Sequence, residues 1–121
     1  MRAKLKGLDA TDTPDGGLAS FRPEDAENFV LWITATIGPA DGPGEEQFQF
    51  RVCTPSWLAA EPLQKGFAFQ RHTLLLERWD PDLVERAIGD LCAHTTEGAD
   101  WSEVGGALSR FGLWEFEDYR E

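Results

Sequence analysis

The fold is decided by one apolar stretch, Phe29-Val30-Leu31-Trp32-Ile33-Thr34-Ala35-Thr36-Ile37. β-Branched and aromatic residues fill it, and these residue types favour strands. Because the stretch is apolar on both faces, it predicts a strand in the centre of a sheet. It is too short, and too often interrupted by threonine, to be a membrane span.

A hairpin is predicted directly after this strand. Residues 38–44 contain three glycines and two prolines, and residues 47–52 then alternate polar with apolar side chains. This pattern indicates a second, antiparallel strand with one buried and one solvated face. The connecting loop is acidic, with Asp41 inside it and Glu45 and Glu46 at its exit.

Two further strands flank the hairpin in the chain. Residues 2–8 alternate basic with apolar or small side chains, which predicts a strand with one basic face, and residues 73–78 predict another. Residues 9–28 have the composition of a loop, anchored by Leu18 and Phe21, and residues 66–71 fit neither strand nor helix clearly.

Three helices are predicted from their capping residues. Thr54 followed by Pro55 begins a short helix that ends at Glu61, and Asp80 begins a longer one in the same way. Asp100 begins the third in a capping-box arrangement. The predicted buried stripe of the second helix comprises Leu83, Val84, Ala87, Ile88, Leu91 and Cys92, and that of the third comprises Trp101, Val104, Leu108 and Phe111.

Together these elements predict a single α+β domain over residues 1–121. We expect an antiparallel sheet of about four strands, with two C-terminal helices and one short helix packed on one face. The chain length matches one domain of common size.

Charge restricts the class of partner. The chain has 22 acidic and 11 basic residues, a formal net charge of −11. Such a balance disfavours nucleic acid and anionic membranes as partners and favours a basic protein. The sequence does not specify an oligomeric state. The basic N-terminus is followed by no apolar signal core, so we expect a cytoplasmic protein whose two cysteines are reduced.

The chain offers little to a catalytic or metal site. Cys53 precedes a helix N-terminus, where a thiolate would be favoured, but its spacing ties it to neither histidine, and a buried packing role fits better. A zinc site built from Cys53, His72, Cys92 and His94 would lack the usual ligand spacing. We therefore predict no enzyme activity, no metal and no cofactor.

The last nine residues alternate aromatic and acidic side chains. Disordered segments rarely carry three large aromatic residues, so we expect this tail to dock on the domain. Trp114 and Phe116 either close the core or form an interface; Glu117, Asp118 and Glu121 are the better candidates for contact with a partner. The tail is interpreted as a structural clasp with an acidic outer edge.

Several stretches, in order through nearly the whole chain, resemble the immunity protein 8 family of bacterial polymorphic toxin systems. They are Asn28-Phe29, Ile37-Gly38-Pro39, Phe48-x-Phe50-x-Val52-Cys53-Thr54-Pro55-x-Trp57-Leu58, Asp100-Trp101 and Trp114-Glu115-Phe116-Glu117-Asp118-Tyr119. The resemblance implies a non-catalytic cytoplasmic protein that binds and blocks a cognate toxin domain.

On physical grounds we expect the toxin to present a basic surface to the acidic residues of the hairpin loop and the tail. The expected toxin-binding residues are Asp41, Glu45, Glu46, Glu115, Glu117, Asp118, Tyr119 and Glu121. The alternative is a small-molecule-binding or regulatory α+β domain, with a pocket between sheet and helices lined by Trp32, Trp57 or Trp101.

Overall fold

A computed structural model of the chain describes residues 1–11, 17–95 and 100–115. The strands of these residues are β1 (Ala3–Ala10), β2 (Val30–Pro39), β3 (Glu46–Cys53), β4 (Thr73–Leu75) and β5 (Leu113–Trp114). The α-helices are α1 (Pro55–Ala60), α2 (Pro81–Thr95) and α3 (Trp101–Leu108), and a short 3-10 helix covers Leu18–Ser20.

The strands form one sheet in the order β1-β2-β3-β4, and β5 also pairs with β3. Neighbouring strands run antiparallel except β4, which is parallel to the end of β3 through three residue pairs. The predicted α+β class and its mainly antiparallel sheet are confirmed. The predicted strand over 73–78 is shorter than expected: it ends at Leu75, Leu76 makes one more hydrogen bond to Cys53, and residues 77–78 bend away from the strand direction.

β2 lies in the centre of the sheet, as its composition predicts, and pairs along its length with β1 and β3. One face is buried through Leu31, Ile33 and Ala35. The other face is more open than an apolar stretch suggests: Trp32 is 37% exposed. Its cross-strand neighbour on that face is Arg51, a charged residue that keeps this side of the sheet partly solvated.

Helices α2 and α3 cover the buried face. Val84, Ile88 and Cys92 of α2 join Val104 and Leu108 of α3 in one core with the strand residues. The short helix α1 is different, because every one of its residues is at least partly exposed. Its Trp57 ring lies 5.5 Å from the guanidinium carbon of Arg51. Arg51 is on the face of β3 opposite to that of Phe50 and Val52, because successive side chains of a strand alternate between the two faces.

The predicted caps are confirmed, but the predicted burial of two residues, Leu83 and Phe111, is wrong. Thr54 and Asp100 accept hydrogen bonds from the first turns of α1 and α3. Leu83 is 38% exposed because the buried line of α2 comprises Val84, Ile88 and Cys92, and Leu83 lies on the flank of that line. Phe111 is 45% exposed because α3 ends at Leu108 and Phe111 lies in the turn beyond it.

The long segment between β1 and β2 is anchored as predicted. Leu18 is buried, and the ring of Phe21 lies edge-on to Trp79 with 4.9 Å between ring centroids. Phe29 completes this cluster at 5.3 Å from Trp79. Aromatic pairs in this geometry stabilise beyond the area they bury, so the cluster holds the segment against the start of α2.

Candidate functional site

The acidic hairpin loop connects the end of β2 to the start of β3 at one end of the sheet. Asp41 and Glu45 are exposed, and Glu46 is half-buried as the first residue of β3. The Nζ of Lys6 donates to the carbonyl oxygens of Gly42 and Gly44, at 2.9 and 3.0 Å. These bonds tie the loop to β1 and give it a defined shape.

A β-bulge brings Lys6 to that position. The register of β1 against β2 shifts between Leu5 and Gly7, so Lys6 is the extra residue. A bulge redirects a side chain and interrupts strict alternation. The strict alternation predicted for residues 2–8 is interrupted at this bulge, and the exposed Lys6 binds the hairpin loop.

The C-terminal segment docks beside the same loop. β5 pairs Trp114 with Phe48, and the backbone N–H of Glu115 donates to the carbonyl of Gln47 at 3.1 Å. In return, the backbone N–H of Gln47 donates to Oε1 of Glu115 at 2.9 Å. The indole N–H of Trp114 donates to Oε2 of Glu46. These contacts place the carboxylates of Glu46 and Glu115 at neighbouring positions, although the two residues are 69 positions apart in the chain.

Trp114 is held from two sides. Its ring is stacked on Phe48, with 5.9 Å between centroids and an interplanar angle of 6°. On the helix side it lies against Gly105, where an added Cβ would come within 2.6 Å of the indole ring. Trp114 therefore fastens α3 to β3, as expected of a clasp, and positions Glu46 as it does so.

The structure brings together two of the predicted toxin-binding residues, Glu46 and Glu115, at the start of β3. Asp41 and Glu45 lie in the hairpin loop that immediately precedes this strand, and we call these four residues the acidic edge. One hydrogen bond occupies only a fraction of the acceptor capacity of a carboxylate, so Glu46 and Glu115 can still accept from a partner. Four further predicted residues lie outside the described residues: Glu117, Asp118, Tyr119 and Glu121.

The cysteine and metal hypotheses find no support in the described residues. Cys53 is fully buried, and burial raises the pKa of its thiol, an effect that the nearby Arg51 guanidinium opposes. Burial also raises the pKa of the Cys92 thiol to about 11. Both thiols are therefore protonated near neutral pH, the opposite of an activated nucleophile. Within the described part of the chain, no group of three or more His, Cys, Asp or Glu is arranged to hold a metal ion.

A cleft lies beside one of the three tryptophans expected to line a pocket. Its volume is about 490 Å³, and Trp57 lines it together with Arg51 of β3 and the segment that follows α1. A second cleft, of about 310 Å³, lies between the sheet edge and α2, and its lining residues do not include Trp32, Trp57 or Trp101.

An exposed aromatic segment was not predicted. Residues 61–71 are exposed throughout, with Phe69 at 91% and Phe67 at 64%. The available signal of this exposed segment in the sequence was the pair Phe67 and Phe69, which lie between Gly66 and Gln70 without strand-like neighbours. This segment lies beyond the C-terminal end of β3, whereas the acidic edge lies at its start.

No helix of the described residues is long and apolar enough to cross a membrane. No curated protein and no solved structure matches the chain. A family model with the description "Immunity protein 8" matches residues 3–119. This match covers almost the whole domain, including both segments of the acidic edge. The chain therefore belongs to the immunity protein 8 family, and the family implies a function in immunity against toxins.

Proposed function

We propose that this immunity protein neutralises a cognate bacterial toxin by stoichiometric, non-catalytic binding through its acidic edge. The observation that carries the proposal is the docking of the C-terminal segment on β3. Hydrogen bonds from Trp114 and Gln47 hold the carboxylates of Glu46 and Glu115 beside the acidic hairpin loop. A surface assembled from two distant segments suits recognition better than four independently solvated acids would.

The electrostatics support a basic partner. The net charge of the chain is −11, and Asp41, Glu45, Glu46 and Glu115 contribute to it at the acidic edge, where Arg2, Lys4 and Lys6 of the neighbouring β1 segment offset part of their charge. A field of this sign speeds the encounter with a positively charged surface and aligns it. Because Glu46 and Glu115 are already held by hydrogen bonds, binding would cost less side-chain entropy than it does for free carboxylates.

The same proposal includes the acids and the tyrosine that follow Glu115 in the sequence. Glu117, Asp118, Tyr119 and Glu121 continue the chain from the acidic edge, and we assign them to the toxin-binding surface. We also place the protein in the cytoplasm, where it would meet a toxin before that toxin reaches its target. Neither nucleic acid nor a membrane is expected to bind.

The function itself is tested by co-expression. The toxin domain encoded beside this chain is expressed in a susceptible bacterium with and without the immunity protein. We expect growth to be restored and a one-to-one complex to co-purify. Failure to protect, with both proteins present in soluble form, would overturn the proposal.

The acidic edge is tested separately by association kinetics. The double variant D41K/E45K reverses two exposed charges that lie outside the observed hydrogen bonds of Glu46 and Glu115. We expect its association rate with the toxin to fall about tenfold at low salt, and the difference to shrink as salt is raised.

The charge-matched control is E27K/E77K, which reverses two exposed acids at the opposite end of the sheet, before β2 and after β4. The ten residues of β2 separate Glu27 from the hairpin loop by about 30 Å, so we expect a change of no more than about threefold. Equal slowing in both variants would indicate a general charge effect. If D41K/E45K associates normally and F69A does not, the interface is the exposed segment 61–71.

A further inference from the structure

A cleft at the edge of the sheet has an apolar interior. It has a volume of about 310 Å³ and lies between β4, α2 and the turn after α3. Phe50 and Ile88 are buried, and Leu74 and Leu91 are half-buried among its lining residues. The volume is that of about ten water molecules, at the small end of ligand pockets in proteins.

The mouth of this cleft is cationic. Arg71 and Arg110 line it and are exposed, and His72 lies between Arg71 and β4. Among the described residues that line the cleft, none is acidic. This reverses the charge of the molecule as a whole, which has twice as many acids as bases. Two arginines gathered over an apolar interior are suited to an anion that carries an apolar body.

The backbone at the mouth is held in an uncommon conformation. His72 has a φ of 56°, in the left-handed region. No other non-glycine residue of the described chain has a positive φ. Its carbonyl accepts a hydrogen bond of 2.8 Å from the backbone N–H of Arg51, which fixes this conformation against β3. Backbone strain of this kind is concentrated at binding and switch sites. Here it sets the direction in which the chain passes from Arg71 into β4.

We propose that this cleft binds a small organic anion, with a carboxylate or phosphate group at Arg71 and Arg110 and an apolar body against Leu74, Ile88 and Leu91. The site is separate from the acidic edge in position and in charge. It would give the immunity protein a small-molecule site in addition to its toxin-binding surface, and its failure would leave the proposed immunity function intact.

The test is an NMR titration of the full chain with ¹H–¹⁵N detection. The probes are phenylacetate, phenyl phosphate and the neutral analogue phenylacetamide. We expect at least one anionic probe to shift the amides of cleft residues saturably, with a Kd in the millimolar range or lower, roughly what a ligand of ten heavy atoms can reach. The neutral amide should bind about tenfold more weakly, because it lacks the charged hydrogen bonds. Comparison of the two anions identifies the preferred head group.

Two pairs of variants locate the site. R110Q removes a charge at the mouth and should weaken binding of the anionic probe about tenfold, whereas R86Q, on an exposed part of α2 that does not line the cleft, should leave it unchanged. A87F fills the cleft without altering charge and should abolish binding; A93F, on the same helix but outside the cleft, should not.

Fold is checked in each variant by the dispersion of its amide spectrum. The proposal is overturned if no anionic probe saturates, if phenylacetamide binds as well as the tighter-binding anion, or if folded R110Q binds that anion like the wild type.

Discussion

The two adjacent glycines of α3 provide the sharpest test of how the C-terminal segment is held. Gly105 and Gly106 lie in the middle of the helix, where glycine is unfavourable. At Gly106 an added Cβ meets nothing within 4 Å, whereas at Gly105 it meets the Trp114 ring at 2.6 and 2.8 Å. The same substitution therefore probes open space at one position and a packed contact at the next.

The expected changes in the free energy of unfolding differ between the two variants, G106A and G105A. Replacement of either glycine by alanine gains about 1 kcal/mol of helix propensity. For G106A this gain should stand, and the free energy of unfolding should rise by about 1 kcal/mol. In G105A the methyl group must displace an indole that is stacked on Phe48 and bonded to Glu46. Such overpacking costs about 1–3 kcal/mol, so G105A should be neutral to destabilising by about 2 kcal/mol.

Because the helix terms cancel, the difference between the two variants measures the clash alone. We expect it to be about 1–3 kcal/mol, or roughly 4–12 °C in Tm for a domain of this size. Guanidinium unfolding followed by circular dichroism gives the free energies, provided that the m-values agree.

A second background isolates the partner. In W114A the obstructing ring is gone, so G105A should then stabilise by about as much as G106A does. Equal stabilisation by G105A and G106A in the wild-type background would refute the packing of Trp114 on Gly105. An unchanged penalty for G105A in W114A would assign the clash to another group.

Three further predictions concern single positions. The Thr54 hydroxyl accepts from the backbone N–H groups of Phe29 and Trp57, so T54A should lose about 2–4 kcal/mol of stability while T54S loses about 1 kcal/mol, as measured by chemical unfolding. At His72, glycine tolerates the left-handed backbone and should change stability by no more than about 0.5 kcal/mol, whereas H72V should destabilise by about 1–2 kcal/mol in the same assay. For Cys92, burial raises the folded pKa of the thiol from 9.0 to about 11, so the unfolded state loses its proton first. Stability should therefore fall as pH rises from 9.0 to about 11, and the loss should be smaller in C92A, as thermal unfolding across this range will show.

Local sequence signals predicted the secondary structure well where a residue type has the same physical effect in any fold, as capping residues do at the start of a helix. Thr54, Asp80 and Asp100 marked helix starts because a short polar side chain satisfies the first free N–H groups wherever the helix lies in the fold. The apolar composition of residues 29–37 likewise placed β2 in the centre of the sheet. Errors arose at element ends: Leu83 and Phe111 have the spacing of buried residues, but Leu83 lies on the flank of the buried line of α2 and Phe111 lies beyond the end of α3.

Composition and short-range pattern are enough to predict the class of this domain, its net negative charge and the acidic residues available to a partner. Which of these acids lie side by side depends on tertiary contacts. Glu46 and Glu115 meet because β5 pairs with β3 and Trp114 reaches Glu46. That contact in turn depends on a glycine in α3, and the redirection of Lys6 depends on a bulge in β1. Such long-range contacts form only when the assembled fold brings distant segments together, so no local stretch of sequence predicts them.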